Sequence, residues 1–173
     1  MSTEKYKSIA SKLKFEGRAY INGKYVDAID GEKFETFNPA TGDILCSVAK
    51  CNQKDVDLAV KVSRKVFESG IWSRATPEHR KEVLLKFAKL LSKEGEENSV
   101  LESVDTGKLI VDCINEVAND APMHFQWYGE LIDKVFGKVG PTDPSITSLV
   151  VKEPIGVVAG IVPWNFPLMM AVW

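Results

Sequence analysis

Ile155-Gly156-Val157-Val158-Ala159-Gly160-Ile161-Val162-Pro163-Trp164-Asn165-Phe166-Pro167-Leu168-Met169-Met170-Ala171-Val172-Trp173 is a run of nineteen residues without a charge. That length reaches what a membrane span needs. Pro163 and Pro167 stand four apart, with Asn165 between them and Gly156 and Gly160 upstream. Two prolines would break the backbone ladder where no water can repair it, so a span is disfavoured. The pattern predicts instead a fully buried strand over 156–162, a tight turn, and the opening turns of a buried helix. Asn165 is the only strongly polar side chain in the run. A buried amide without a partner costs about 1–3 kcal/mol, so such a residue needs a structural bond or a chemical role. Either it caps the helix entering at Pro167, or it serves a ligand at the C-terminal end of a strand, where open α/β sheets bind theirs.

Upstream, residues 145–152 alternate as an exposed strand and 137–144 read as a loop. A long helix is expected over 110–136, disturbed near Pro122. A further helix covers about 96–104, broken by Gly107. Thr76-Pro77 opens another with an N-cap and an N1 proline, its face carried by Val83, Leu84, Phe87, Ala88 and Leu91. Asn52 caps a helix with Asp55 in its first turn, with Val56, Ala59, Val60, Ser63 and Phe67 on one face and Gly70 as its stop. Strands at 44–49 and 33–37 flank the turn Asn38-Pro39-Ala40-Thr41-Gly42-Asp43. Asn22-Gly23 marks a hairpin within 19–26. In residues 1–18, Tyr6, Ile9, Ala10 and Leu13 recur at helical spacing. The order β, several helices, then a buried strand predicts an α/β protein whose parallel sheet only starts at the C-terminal end of the sequence.

The chain has 173 residues, a length that suggests one domain, and 45% of them are apolar. Its mean hydropathy is −0.10. That is enough apolar side chain to offset the entropy of ordering, so disorder is excluded. Twenty-two Lys and Arg against twenty-four Asp and Glu give a charge of −2. Such a balance predicts neither a nucleic-acid nor an anionic-membrane partner. Cys46, Cys51 and Cys113 are an odd set without framework spacing, and His79 and His124 are the only histidines, which argues against zinc. The N-terminal segment is Lys-rich and includes Glu4 and Glu16, unlike an Arg-rich, acid-poor presequence. A surface helix and a cytoplasmic setting are expected. The uncharged end, which leaves apolar surface wanting a partner, suggests the front part of something larger.

Glycine fingerprints for phosphate, G-x-S-x-G and H-E-x-x-H are absent from the sequence. Asp105-Thr106-Gly107-Lys108 could hold a phosphate, but a helix end with a glycine stop explains it more simply.

Pro163-Trp164-Asn165-Phe166-Pro167 after Glu153-Pro154-Ile155-Gly156-Val157-Val158 closely resembles the aldehyde dehydrogenase superfamily. Tyr20-Ile21-Asn22-Gly23, Asn38-Pro39-Ala40-Thr41-Gly42, Phe67-Glu68-Ser69-Gly70 before Trp72-Ser73, and Asp105-Thr106-Gly107-Lys108 extend the resemblance along nearly all of the chain after the first helix. The subgroup it looks closest to is the bacterial γ-glutamyl-γ-aminobutyraldehyde dehydrogenases. The resemblance implies an incomplete Rossmann-like cofactor domain. Residues 1–18 would be an amphipathic helix, 19–137 the N-terminal part of the cofactor domain, 138–153 an oligomerisation arm strand, and 154–173 the first buried strand and the start of its helix, truncated.

It also implies oxidation of an aldehyde to a carboxylate with NAD, or NADP, through a cysteine thiohemiacetal. Asn165 would donate to the oxyanion. Ile161, Val162, Pro163, Trp164 and Asn165 would lie along the cofactor, and Phe166, Met169, Met170 and Trp173 would line the aldehyde tunnel. Thr36, Phe37 and Asp105 match a monovalent-cation site. Homodimers or homotetramers would form through the arm. The family's nucleophilic cysteine and general-base glutamate would lie beyond residue 173, so the isolated chain is expected to be inactive. A rival is a truncated, non-catalytic interaction module that docks on an intact subunit.

Overall fold

The computed structural model describes residues 3–173; the expectation for Met1 and Ser2 lies outside them. Helix α1 (Thr3–Ala10) is shorter than the 1–18 expected, ending in turns that close on Lys7 and Ile9. Three antiparallel hairpins follow along the chain. The first joins β1 (Ala19–Ile21) to β2 (Lys24–Val26). Its turn puts Asn22 at φ 55° and Gly23 at φ 74°, the left-handed pair that a two-residue hairpin requires. Strands β3 (Lys33–Phe37) and β4 (Ile44–Ala49) form the second, with the boundaries expected from sequence. Thr36 pairs with Cys46 and Phe37 with Ile44, so Leu45 is the extra residue of a bulge.

Helix α2 (Gln53–Ser69) starts as the sequence predicts. The Asn52 side chain accepts from the Lys54 N–H at 2.8 Å, and the Asp55 carboxylate accepts from the Asn52 N–H at 2.9 Å. Asp55 is buried and also accepts from the Ile29 N–H at 2.9 Å, tying the helix start to the loop before β3. Its expected apolar face is only partly covered, with Val56 and Val60 about half exposed. Helix α3 (Pro77–Lys93) opens on Thr76, whose hydroxyl accepts from the His79 N–H. Helix α4 (Gly95–Thr106) ends in left-handed Gly107, where a β-carbon would come 2.8 Å from the Pro39 ring. The tip of the β3–β4 hairpin therefore lies against the end of α4.

The long helix expected over 110–136 is composite. Helix α5 (Ile110–Cys113) runs through a π-helical segment (Ile114–Asp120) into α6 (Ala121–Leu131) and a 3-10 turn (Ile132–Lys134). Pro122 has no N–H for the carbonyl four residues back, and its ring crowds that carbonyl. The backbone ahead of it widens instead of breaking. Buried Ser99 donates to the Gly95 and Cys113 carbonyls, clamping α4 to this element. Phe87 of α3 meets Phe125 of α6 edge to face at 4.7 Å. Leu91, Ala121, Met169 and Val172 form the core, with Phe125 and Leu168 packed on it. That core seats α7 (Pro167–Val172) against α3 and α6.

Two expectations are corrected. The segment 137–144 is not all loop: β5 (Lys138–Gly140) pairs with β6 (Ser148–Val150), a shorter strand than the 145–152 expected. Residues 156–162 form no strand and are not fully buried; Ile155 is 90% exposed and Ile161 98% exposed. A strand obtains its backbone hydrogen bonds from neighbours, and residues 156–162 pair with none of the three two-stranded sheets. For the same reason the described residues contain no parallel pair. No helix among them is long and apolar enough to cross a membrane.

Candidate functional site

The turn 163–166 leads directly into α7, and the core under α7 fixes its position. The N-cap of α7 is Phe166, with no side-chain cap bond. Asn165 is exposed and makes no hydrogen bond among the described residues, so the helix-cap account of it is not met. Its amide is free to donate to a ligand. Ile161, Val162, Pro163 and Trp164 form an exposed, uncharged run beside it, with Trp164 78% exposed. A β-carbon added at Gly160 would meet nothing within 4 Å, so the backbone there is open to a flat ligand.

The four residues expected to line an aldehyde tunnel separate into distinct environments. Met169 is buried in the core between Leu91 and Ala121, which makes it a packing residue here. Met170 is half-buried. Trp173 closes a cleft of about 470 Å³ with Met123, His124, Trp127 and Tyr128. The Tyr128 hydroxyl donates to the Trp173 carbonyl at 3.2 Å, and the His124 ring lies 6.0 Å from the Trp173 indole. These α6 residues were missed from sequence. Their signal was there, an aromatic stripe at three- and four-residue spacing, but core packing explains such a stripe equally well.

Phe166 has a specific partner. The Lys108 Nζ sits 3.8 Å from the centre of its ring. Lys108 is largely buried and ion-paired to Glu116, with Glu102 Oε1 at 3.6 Å on another side. Glu102 is buried, and Oε1 has no hydrogen bond. Burial pushes its carboxyl up, while Lys108 and the Leu168 backbone N–H favour the charged form. Lys108 thus belongs to an ion cluster, not to a phosphate loop.

Thr36 and Phe37 flank the β3–β4 bulge, and Asp105 lies in the last turn of α4. Asp105 is near enough to Cys46 to help raise its thiol, and Cys46 is the cross-strand partner of Thr36. The bulge interrupts the ladder between Thr36 and Phe37. No group of three or more His, Cys, Asp or Glu that could hold a metal occurs among the described residues.

All three cysteines are free, and none is poised as a nucleophile. Burial pushes the Cys113 thiol up to about 11. Burial raises Cys46 and Cys51 too, reinforced by Asp105 and Asp55 respectively. A thiol held protonated is a poor nucleophile.

Fold and site together define an α/β chain in which the unpartnered Asn165 amide stands exposed beside an uncharged run. Comparison with known proteins gives the family. Residues 25–173 match the aldehyde dehydrogenase family, to which the chain belongs. It is 42% identical over 173 residues to the aminoacetaldehyde dehydrogenase of Pseudomonas aeruginosa, covering 100% of this chain and 35% of that protein. It is 43% identical over 164 residues to the NADP/NAD-dependent aldehyde dehydrogenase PuuC of Escherichia coli, covering 95% of this chain and 33% of that protein. Among solved structures, the γ-glutamyl-γ-aminobutyraldehyde dehydrogenase of Burkholderia cenocepacia superimposes with a TM-score of 0.96 at 41% identity, over 100% of this chain and 35% of that one. An indole-3-acetaldehyde dehydrogenase of P. syringae, solved with NAD⁺, gives 0.96 at 43% identity, again over 100% of this chain and 35% of the other. The chain spans about a third of the length of these relatives.

Proposed function

We propose that residues 1–173 form the N-terminal portion of an enzyme that oxidises an aldehyde to a carboxylate with NAD, or NADP, in which Asn165 donates to the oxyanion. The observation that carries this is the Asn165 amide, exposed and unpartnered at a turn anchored by the core beneath α7. When a nucleophile adds to an aldehyde carbonyl, charge develops on oxygen. A donor already aimed at that oxygen stabilises the charge without reorganising. The nucleophile is none of Cys46, Cys51 or Cys113, whose thiols are all raised, and the complete protein supplies both it and the general base from beyond residue 173.

The uncharged, exposed run through Ile161, Val162, Pro163 and Trp164 fits the apolar wall of a dinucleotide site. Bound there, the cofactor supplies a hydride acceptor. Phe166, Met170 and Trp173, with the α6 aromatic residues, provide the apolar approach for the aldehyde, while Met169 supports it from the core. The Thr36 and Phe37 carbonyls and the Asp105 carboxylate would hold a monovalent cation and brace the hairpin tip against α4. The β5–β6 hairpin, with Val139 and Leu149 exposed, provides an edge for subunit exchange in a homodimer or homotetramer. Free thiols accord with a cytoplasmic setting.

Asn165→Ala in the complete enzyme should lower kcat by about 10²–10³ with little change in NAD binding. An unchanged kcat would remove Asn165 from the chemistry. The 173-residue chain alone should form no NADH from aldehyde and NAD. Measurable turnover would overturn the assignment of the nucleophile to later residues, and co-purification of the stable short chain with an intact subunit would favour the interaction-module role.

A further inference from the structure

We propose that Lys108, gripped by Glu102 and Glu116, is a positioning residue that orients Phe166 and through it the Asn165 amide. This rests on the proposal that Asn165 is the oxyanion donor. Asn165 itself has no hydrogen bond to fix it, and α7 begins without a side-chain cap. The core beneath α7 anchors the turn without fixing the direction of the Asn165 amide, and catalysis is sensitive to displacements of about 1 Å. A neighbouring contact is needed to orient the amide.

The structure offers one next to it. The ammonium of Lys108 lies 3.8 Å from the centre of the Phe166 ring, a close cation–π contact with the residue adjoining Asn165. Lys108 cannot swing away easily, because its side chain is only 15% exposed and is ion-paired to Glu116 on its outer side. On its inner side stands Glu102, whose buried Oε1 lies 3.6 Å from the ammonium and has no hydrogen bond of its own. Leu168, two residues past Phe166, is near enough for its backbone N–H to favour the charged Glu102 carboxylate. Glu102 lies in the C-terminal half of α4, Lys108 just beyond its end, and Glu116 in the π-helical segment. The buried Ser99 hydroxyl ties α4 to the Cys113 carbonyl, at the residue just before that segment. The Phe166–Leu168 backbone is thus referenced to the rigid helical layer through one cation. A surface lysine would give no such precision; a buried, doubly paired one does.

The test is a double-mutant cycle in the complete enzyme. Lys108→Met should lower kcat by roughly ten- to a hundredfold with the KM for NAD little altered; it also lowers the unfolding midpoint, because Glu102 and Glu116 lose their buried partner, and Lys108→Arg should recover most of both losses. Because Lys108 acts through Asn165, the double variant Lys108→Met, Asn165→Ala should be no slower than Asn165→Ala alone. Losses that multiply, or a Lys108→Met variant with unchanged kcat, would overturn the inference while leaving Asn165 as donor. An Asn165→Ala enzyme with full kcat would instead overturn the donor assignment itself. If Lys108→Met does not fold, Glu116→Gln loosens the same grip more mildly; a several-fold loss of kcat that vanishes on the Asn165→Ala background supports the inference, and one that persists refutes it.

Discussion

Helix α2 and residues 155–163 are opposites in composition and in outcome. The sequence of α2 is rich in charge, yet it is a complete helix of seventeen residues with a formed start and a glycine stop. Residues 155–163 contain no charge and carry no regular structure at all. The difference lies in where each finds its hydrogen bonds. A helix satisfies its interior from within and asks only for caps. A strand satisfies nothing alone, however apolar it is, and Ile161 stands almost wholly in solvent for want of a neighbour.

That contrast can be broken at the start of α2. Asp55→Ala would strip the acceptor from the Ile29 and Asn52 N–H groups at a buried site. A loss of about 2–4 kcal/mol in urea unfolding is expected; a loss below about 1 kcal/mol would mean that the helix start is held by something other than its cap. Asn52→Ala removes one acceptor for the Lys54 N–H and the side-chain bond to Asp30, and should cost about 1 kcal/mol by the same measurement. Ile161→Lys should change the stability of the 173-residue chain by less than about 0.5 kcal/mol, as at an ordinary surface position. The same substitution should cost several times more in a complete protein where strands flank Ile161. Equal costs in both would show that residues 156–162 never become a buried strand.

The elements that were legible in the sequence are those decided within a few residues. Asn52 and Asp55, Thr76 and Pro77, Gly107, and the Asn22-Gly23 turn each act on backbone groups three or four positions away, and each element they bound was found where expected. Pro122 announced a disturbance, but not its form, because whether a helix kinks or widens depends on what packs around it. The β5 strand was legible only through the family resemblance and not through the residue pattern, because Lys138–Gly140 has no apolar alternation of its own and is a strand only by pairing with Ser148–Val150. In the site, Asn165 stood out as the lone amide in an uncharged run. Lys108, by contrast, looked like part of a helix stop.

By itself, then, the sequence determined the caps, the hairpin turns, the family, and the one polar group in its apolar end, since each depends on local chemistry or on a linear motif. Only the tertiary structure decided that Met169 serves the core while Trp173 faces the α6 aromatic residues, and that Asn165 caps nothing. It also brought Glu102 and Glu116 to Lys108, and Lys108 to Phe166, fifty-eight residues further along the chain. Contacts of that span arise from the packing of α7 on α3 and α6 and of α4 on the π-helical segment, which no spacing along the sequence encodes.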